Sequence, residues 1–227
     1  SWIGGDAEAP DSLPRQRIWI DGFVMARFPV TNGEYLTFLD ALASSGREAE
    51  ALAACPRKEL GAAESAEVLP VFRREEDGRF VMPADWTDDL PIVLVDWHAA
   101  SACARWLAEK KGLPLRLPNE LERERAARGV DGRYLPWGNH QDATFGCALE
   151  SHVAPPQRVS VRAFPADESP YGVRGLGGNV RDWCINVWKP LGPAVEDGRL
   201  QLDPADRRDP DFRAIRGGGW GSTMANG

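Results

Sequence analysis

Four cysteines, three histidines and a run of aspartates are the side chains of this chain with the most recognisable chemistry. Thiolates hold soft or borderline metals, imidazoles hold zinc, copper or iron, and clustered carboxylates hold calcium. Spacing decides whether they do. Cys55, Cys103, Cys147 and Cys184 show no Cys-x-x-Cys and no repeating interval, so they read as free thiols. A reducing cytosol favours free thiols, which gives a cytoplasmic reading, with a secreted mature form left open beside it. His98, His140 and His152 form no His-x-His or His-x-x-x-His pair and read as isolated imidazoles. Asp203, Asp206, Asp209 and Asp211 lack the central glycine and closing glutamate of an EF-hand loop. Arg207 and Arg208 lie among them, so the cluster reads as a solvated loop.

Composition narrows the classes further. Among 227 residues, Lys and Arg number 27 against 34 Asp and Glu, for a net charge of −7. A phosphate surface needs a basic footprint that this balance does not supply, which argues against a nucleic-acid or anionic-membrane partner. A hydrophobic share of 43% is enough for a sizeable core. The longest apolar runs, such as Leu90–Val95, fall far short of the ~20 residues of a membrane span. No basic-then-apolar signal segment opens the chain, which starts and stops abruptly. Nine Trp against three Tyr, with 23 Gly and 18 Pro, imply loops pinned by large aromatic anchors.

The elements that must position these groups follow from periodicity and caps. Arg17 to Met25 alternates in the manner of a strand, Ile18 and Ile20 on one face and Trp19 on the other, broken by Asp21-Gly22. Thr31 and Glu34 form a capping box for a helix whose apolar face is Tyr35, Leu36, Phe38, Leu39 and Leu42. Residues 43–89 read as an elaborated, mostly exposed insertion. Asp96 caps a second helix lined by Ala100, Cys103, Ala104 and Leu107 and stopped by Gly112. Asn119 and Glu122 box a short helix that ends at Gly129. From Gly132 onward, glycine, proline and tryptophan predict loops and short strands held mainly by buried aromatics. The class is α+β.

Six blocks in order then carry a resemblance. They are Phe28-Pro29-Val30-Thr31-Asn32-Gly33-Glu34-Tyr35, Leu90 to Trp97, Leu115-Arg116-Leu117-Pro118-Asn119-Glu120, Tyr134 to Asn139, Ser169 to Trp183, and Ile215-Arg216-Gly217-Gly218-Gly219-Trp220. Together they resemble the formylglycine-generating-enzyme family across essentially the whole chain. The resemblance implies a single domain over 1–227 with a C-type-lectin-like architecture, two main helices on short twisted sheets with much irregular loop. It also implies that the closing C-terminal part of the fold is missing. The phrases Asp167 to Arg174 and Asn179 to Cys184 look like a bacterial subgroup in which such a domain follows a serine/threonine kinase. No kinase motif lies in this chain, so any kinase partner domain is expected elsewhere on the polypeptide.

Enzymes of this family are copper-dependent, using two cysteines after the Arg-Gly-Gly-x-Trp block to oxidise a substrate cysteine. Ser222 stands at the first of those positions, and no cysteine follows it here. A hydroxyl is a hard ligand with a pKa far above neutrality, whereas Cu(I) requires soft sulfur, and the thioether of Met224 alone makes no copper site. A related branch uses iron held by histidines and a carboxylate, which the scattered histidines do not match. The family also carries structural calcium, one ion on a Gly-Asn-x-x-acid-Trp loop. The matching groups are the carbonyls of Gly178 and Val180 and the carboxylate of Asp182, but Gly175 replaces the usual side-chain donor. Arg181 and Arg123 stand where the family has aromatics, and salt bridges Arg181–Asp182 or Arg123–Glu120 are expected from them.

The resulting expectation is a non-catalytic ligand- or protein-binding module. Trp220, Ser222, Thr223, Met224 and Asn226 form its ligand-facing stretch, toward a peptide, protein or sugar. Its setting is a signalling kinase or a variable protein of a diversity-generating retroelement, where this stretch is diversified. No cofactor is required, and a structural calcium ion is possible. The competing expectation is a copper- or iron-dependent oxidoreductase acting on a cysteine-containing peptide or small thiol.

Overall fold

The computed structural model describes every residue except 8, 10, 11, 61–66, 154, 203–211 and 225–227. The Asp203–Asp211 cluster and Asn226 therefore lie outside the described residues. The chain divides into two compact units, residues 1–29 with 116–227, and residues 30–115.

Strand β1 (Trp2–Ile3) pairs antiparallel with β2 (Gln16–Arg17). Ile18 and Ile20 are buried and Trp19 is exposed, as the alternation requires, but the predicted strand to Met25 does not form. Beyond Arg17 the segment makes one bridge, Trp19 to Arg199. A strand needs a partner as well as a pattern, and Asp21-Gly22 turns the chain away from one.

The unit spanning 30–115 is built on helices. In α1 (Asn32–Ser44) the Thr31 hydroxyl accepts from the Glu34 amide, and the Glu34 carboxylate accepts from the Thr31 amide. Then follow α2 (Glu48–Ala54), the hairpin of β3 (Arg57–Leu60) with β4 (Glu67–Pro70), and β5 (Arg73–Arg74) paired with β6 (Phe80–Val81). The Asp96 carboxylate caps α3 (Trp97–Lys111) by accepting from the Ala99 amide at 2.7 Å, and Gly112 ends it in the left-handed region. Its buried face centres on Ala99 and Cys103, with Trp106 and Leu107 alongside, a slight rotation from the expected stripe. Within 43–89, Ala51, Cys55, Phe72 and Phe80 are buried with Tyr35, Phe38 and Leu39 of α1. The Tyr35 hydroxyl donates to the Ala54 carbonyl at 2.7 Å, so a phenol is buried at little polar cost.

Among its described residues the other unit contains a single α-helix, α4 (Glu120–Arg128), and short two-stranded sheets. Strand β7 (Asp182–Val187) pairs with β10 (Arg213–Arg216) around an irregularity between Arg213 and Ile215, and β8 (Val195–Glu196) pairs with β9 (Arg199–Leu200). Its apolar core is small: Ile3, Leu13, Ile18, Ile20 and Leu121 in one cluster, Ala126, Ala127, Val173 and Leu176 in another. Buried polar groups join α4 to the sheet. Glu120 is 1% exposed, ion-pairs with Arg216, and takes a 2.7 Å hydrogen bond from Asn186, whose side-chain oxygen Oδ1 accepts from the Glu120 amide at 2.9 Å. No helix among the described residues is long and apolar enough to cross a membrane.

The start of α4 rests on Asn119, buried, whose side chain accepts from the Leu121 amide while Glu122 returns a bond to the Asn119 amide. Asn119→Ala is expected to lower the unfolding free energy by about 1–2 kcal/mol, read from urea unfolding, while Asn119→Ser keeps most of it.

Candidate functional site

The segment from Gly177 to Asp182 crosses the irregular unit with little regular structure to hold it, so side chains must do so. Asn179 is the hub. It lies at φ +71, a left-handed conformation that Asn tolerates better than most residues. Its amide donates to the Cys147 carbonyl at 2.7 Å, and its own carbonyl accepts from the Trp220 amide at 3.0 Å. Its side-chain amide pairs with Val159 twice, accepting from the Val159 amide at 3.0 Å and donating to the Val159 carbonyl at 2.8 Å. One residue thus clips together three segments that are remote in sequence. Next to it, a Cβ on Gly178 would meet the Cys147 carbonyl oxygen at 2.3 Å, so only glycine allows this approach.

The sequence-derived ligand stretch hangs from this hub. Ser222 closes a turn with Gly219, donating its amide to the Gly219 carbonyl at 2.9 Å and receiving the Gly219 amide on its hydroxyl at 3.4 Å. The Ser222 carbonyl accepts from the Leu149 amide at 2.9 Å, and the Met224 amide donates to Glu150 at 3.2 Å. Trp220, Ser222 and Thr223 are half-buried and Met224 is buried. The bonds that fix the stretch to the rest of the unit therefore come from its main chain.

The geometry tests each implied metal. All four thiols are free and buried. The Cys147 sulfur lies 3.5 Å from His152 Nε2 and 3.7 Å from the Gln157 carbonyl. Burial, reinforced by the charge of Asp167, pushes its pKa up to about 11, so it is a neutral thiol at neutral pH. A hydroxyl at position 222 does not fit a copper(I) centre that requires two thiolates. His98 lies on α3, His140 packs edge-on to Phe145, and His152 faces Cys147. Among the described residues no three His, Cys, Asp or Glu side chains gather as a metal-binding group.

Among the Gly178, Val180 and Asp182 oxygens of the expected calcium loop, two already accept hydrogen bonds within the chain. The Gly178 carbonyl accepts from the Val180 amide at 2.9 Å, and Asp182 Oδ2 accepts from Arg123 Nε at 2.8 Å. Arg123 thus reaches Asp182 instead of Glu120, whose partner is Arg216, and Arg181 is exposed.

Two features were not anticipated from sequence. Asp167 is 2% exposed, and both of its carboxylate oxygens accept from the Gly177 amide, at 3.1 and 3.2 Å. Burial pushes its pKa up to about 6, against the downward pull of that amide and of the Arg123 and Arg174 charges. A groove of about 260 Å³ is lined by Asp21, Phe23, Met25, Arg125, Tyr171 and Val173. Its walls come from three separated segments, so no local motif announces it.

Residues 3–226 match the FGE-sulfatase family, described as the sulfatase-modifying factor enzyme 1-like domain. The serine/threonine-protein kinase Pkn1 of Chlamydia trachomatis is 29% identical over 96% of this chain and 31% of its own length. The hercynine oxygenase of Mycolicibacterium smegmatis is 29% identical over 96% of this chain and 51% of its own length. The formylglycine-generating enzyme of Thermomonospora curvata is 31% identical over 56% of this chain and 44% of its own length. The chain thus spans about half or less of the length of these relatives. Among solved structures, PvdO from Pseudomonas aeruginosa superposes with a TM-score of 0.65 at 20% identity, over 99% of this chain and 80% of that one. That likeness gives the α+β, C-type-lectin-like architecture.

Two outcomes follow from the hub and its neighbour. Asn179→Gly removes the paired bonds to Val159 and is expected to cost about 2–3 kcal/mol in urea unfolding. Asn179→Ala is expected to cost about 1 kcal/mol more, because it adds left-handed strain. For Asp167, a folded-state pKa raised from about 3.9 contributes stability that is complete below about pH 4 and lost as pH rises through about 6. The stability difference between the native chain and Asp167→Asn is expected to shift against the native chain by on the order of 3 kcal/mol between about pH 4 and pH 7. A pH-independent difference contradicts it.

Proposed function

The chain belongs to the sulfatase-modifying factor enzyme 1-like family, and we propose that within that family it is a non-catalytic ligand- or protein-binding module. The observation that carries the reading is the way residues 219–224 are held. The Trp220 amide, the Ser222 carbonyl and the Met224 amide bond to Asn179, Leu149 and Glu150. Anchored to its surroundings through its main chain, with the Ser222 hydroxyl accepting the Gly219 amide in its own turn, the stretch presents the half-buried Trp220 and Thr223, and the Ser222 hydroxyl as a donor, for recognition. They offer an aromatic platform and adaptable hydrogen-bonding groups toward a peptide, protein or sugar, while Met224 is buried and Asn226 joins them from the sequence alone.

The hydroxyl of Ser222, where the family's enzymes keep a copper thiolate, supports the same reading from the chemistry. The match to part of a serine/threonine-protein kinase supports a setting beside a kinase on one polypeptide, as a sensor or effector domain. The main-chain anchoring suits a diversified receptor equally well. The competing reading, a copper- or iron-dependent oxidoreductase, draws on the oxygenase and the formylglycine-generating enzyme among the relatives.

One experiment separates the two classes. The protein is incubated in air with Cu(I), and separately with Fe(II), and a cysteine-containing peptide, then analysed by mass spectrometry. The binding-module reading predicts that the peptide keeps its mass apart from background disulfide. Conversion of the cysteine to an aldehyde, or any other turnover dependent on the protein, overturns it.

A further inference from the structure

Arg123 is a cation in an unusual place. It lies on α4 with its side chain 7% exposed, where a free charge would be costly. Its Nε donates to Asp182 Oδ2 at 2.8 Å and its Nη2 donates to the Leu176 carbonyl at 2.9 Å. Gly217, at φ +91, backs onto the same group, and a Cβ there would fall 2.3 Å from Nη2. The guanidinium is therefore enclosed by α4, by the loop 176–182 and by the glycine that follows β10. It binds one carboxylate and one loop carbonyl, the oxygen types that a calcium ion takes from a loop.

We propose that the Arg123 guanidinium is the built-in cation of this loop and occupies the role of a bound calcium ion. The argument is geometric and electrostatic. Calcium needs six to eight oxygens at about 2.3–2.6 Å. Here Asp182 Oδ2 already accepts from the guanidinium, the Gly178 carbonyl accepts from the Val180 amide, and Gly175 brings no side-chain donor. A divalent ion within bonding distance of Asp182 would also lie against a buried positive charge. A covalently attached cation cannot dissociate, so the loop stays assembled at any calcium concentration. The Arg123 side chain uses the room beside Gly217, where a Cβ would make the guanidinium shift. Its role is independent of what the tail at 219–224 recognises.

The test uses thermal unfolding and calcium titration of the intact chain. The native protein is expected to melt at the same temperature in excess EGTA and in millimolar calcium, with no stoichiometric heat of calcium binding. Arg123→Gln removes the charge and is expected to melt several degrees lower in EGTA, while Arg123→Lys, which keeps the charge, falls between the two. Stoichiometric calcium binding that raises the native melting temperature overturns the proposal, whether or not the variants fold. A Gln variant that melts with the native protein, or a Lys variant no better than Gln, overturns it as well.

Discussion

A buried positive charge with two acceptors is the constraint on which the irregular half of this molecule turns. Arg123 reaches from α4 to Asp182 and to the Leu176 carbonyl, and so fixes the loop that delivers Asn179 to its three partners. Asn179 in turn holds the Trp220 amide, and with it the 219–224 stretch. Beside Arg123, Glu120 with Arg216 and Asn186 makes a second buried polar joint between the same helix and the β7–β10 pair. With apolar clusters of only a few residues each, directional bonds between buried polar groups supply the specificity that packing alone does not. Such groups are costly when one partner is missing, so each joint is stable only with both its partners in place.

What the sequence made legible was local. Thr31 with Glu34, Asp96 with Gly112, and Asn119 with Glu122 mark helix ends because caps act over three or four residues. The alternation around Trp19 put its side chains on the correct faces and still misjudged the strand, since pairing with Arg199 is decided far away in the chain. The expectation that buried aromatics pin the irregular half was overturned. The fully buried aromatics Tyr35, Phe38, Phe72 and Phe80 all belong to the unit spanning 30–115. The tryptophans of the other unit are partly or largely exposed, and Asn179, Asn186, Glu120 and Asp167 are the buried anchors. A polar residue gives no periodic signal that it is buried.

The site shows the same division. The blocks that carry the family resemblance located Ser222 and the Gly178–Asp182 loop, and the structure ties the two segments together through the bond from the Trp220 amide to Asn179. The replacement of an aromatic by Arg123 was visible as a departure, but its partner was not. Glu120 was the sequence neighbour, whereas α4 turns Arg123 toward Asp182, 59 positions away, and leaves Glu120 to Arg216. Likewise Asp167 looked like one acid among many until burial beside the Gly177 amide set it apart. A scaffold held by its own charges and by main-chain clips is what the proposed built-in cation and the proposed binding role both rest on.

The most direct measurement of that account is a double-mutant cycle between Arg123 and Asp182, with Gln and Asn replacements made singly and together and followed by urea unfolding. If the guanidinium–carboxylate joint organises the loop, the coupling energy is about 1.5 kcal/mol or more. If the two substitutions add to within about 0.5 kcal/mol, the pair is a bystander and the account is contradicted.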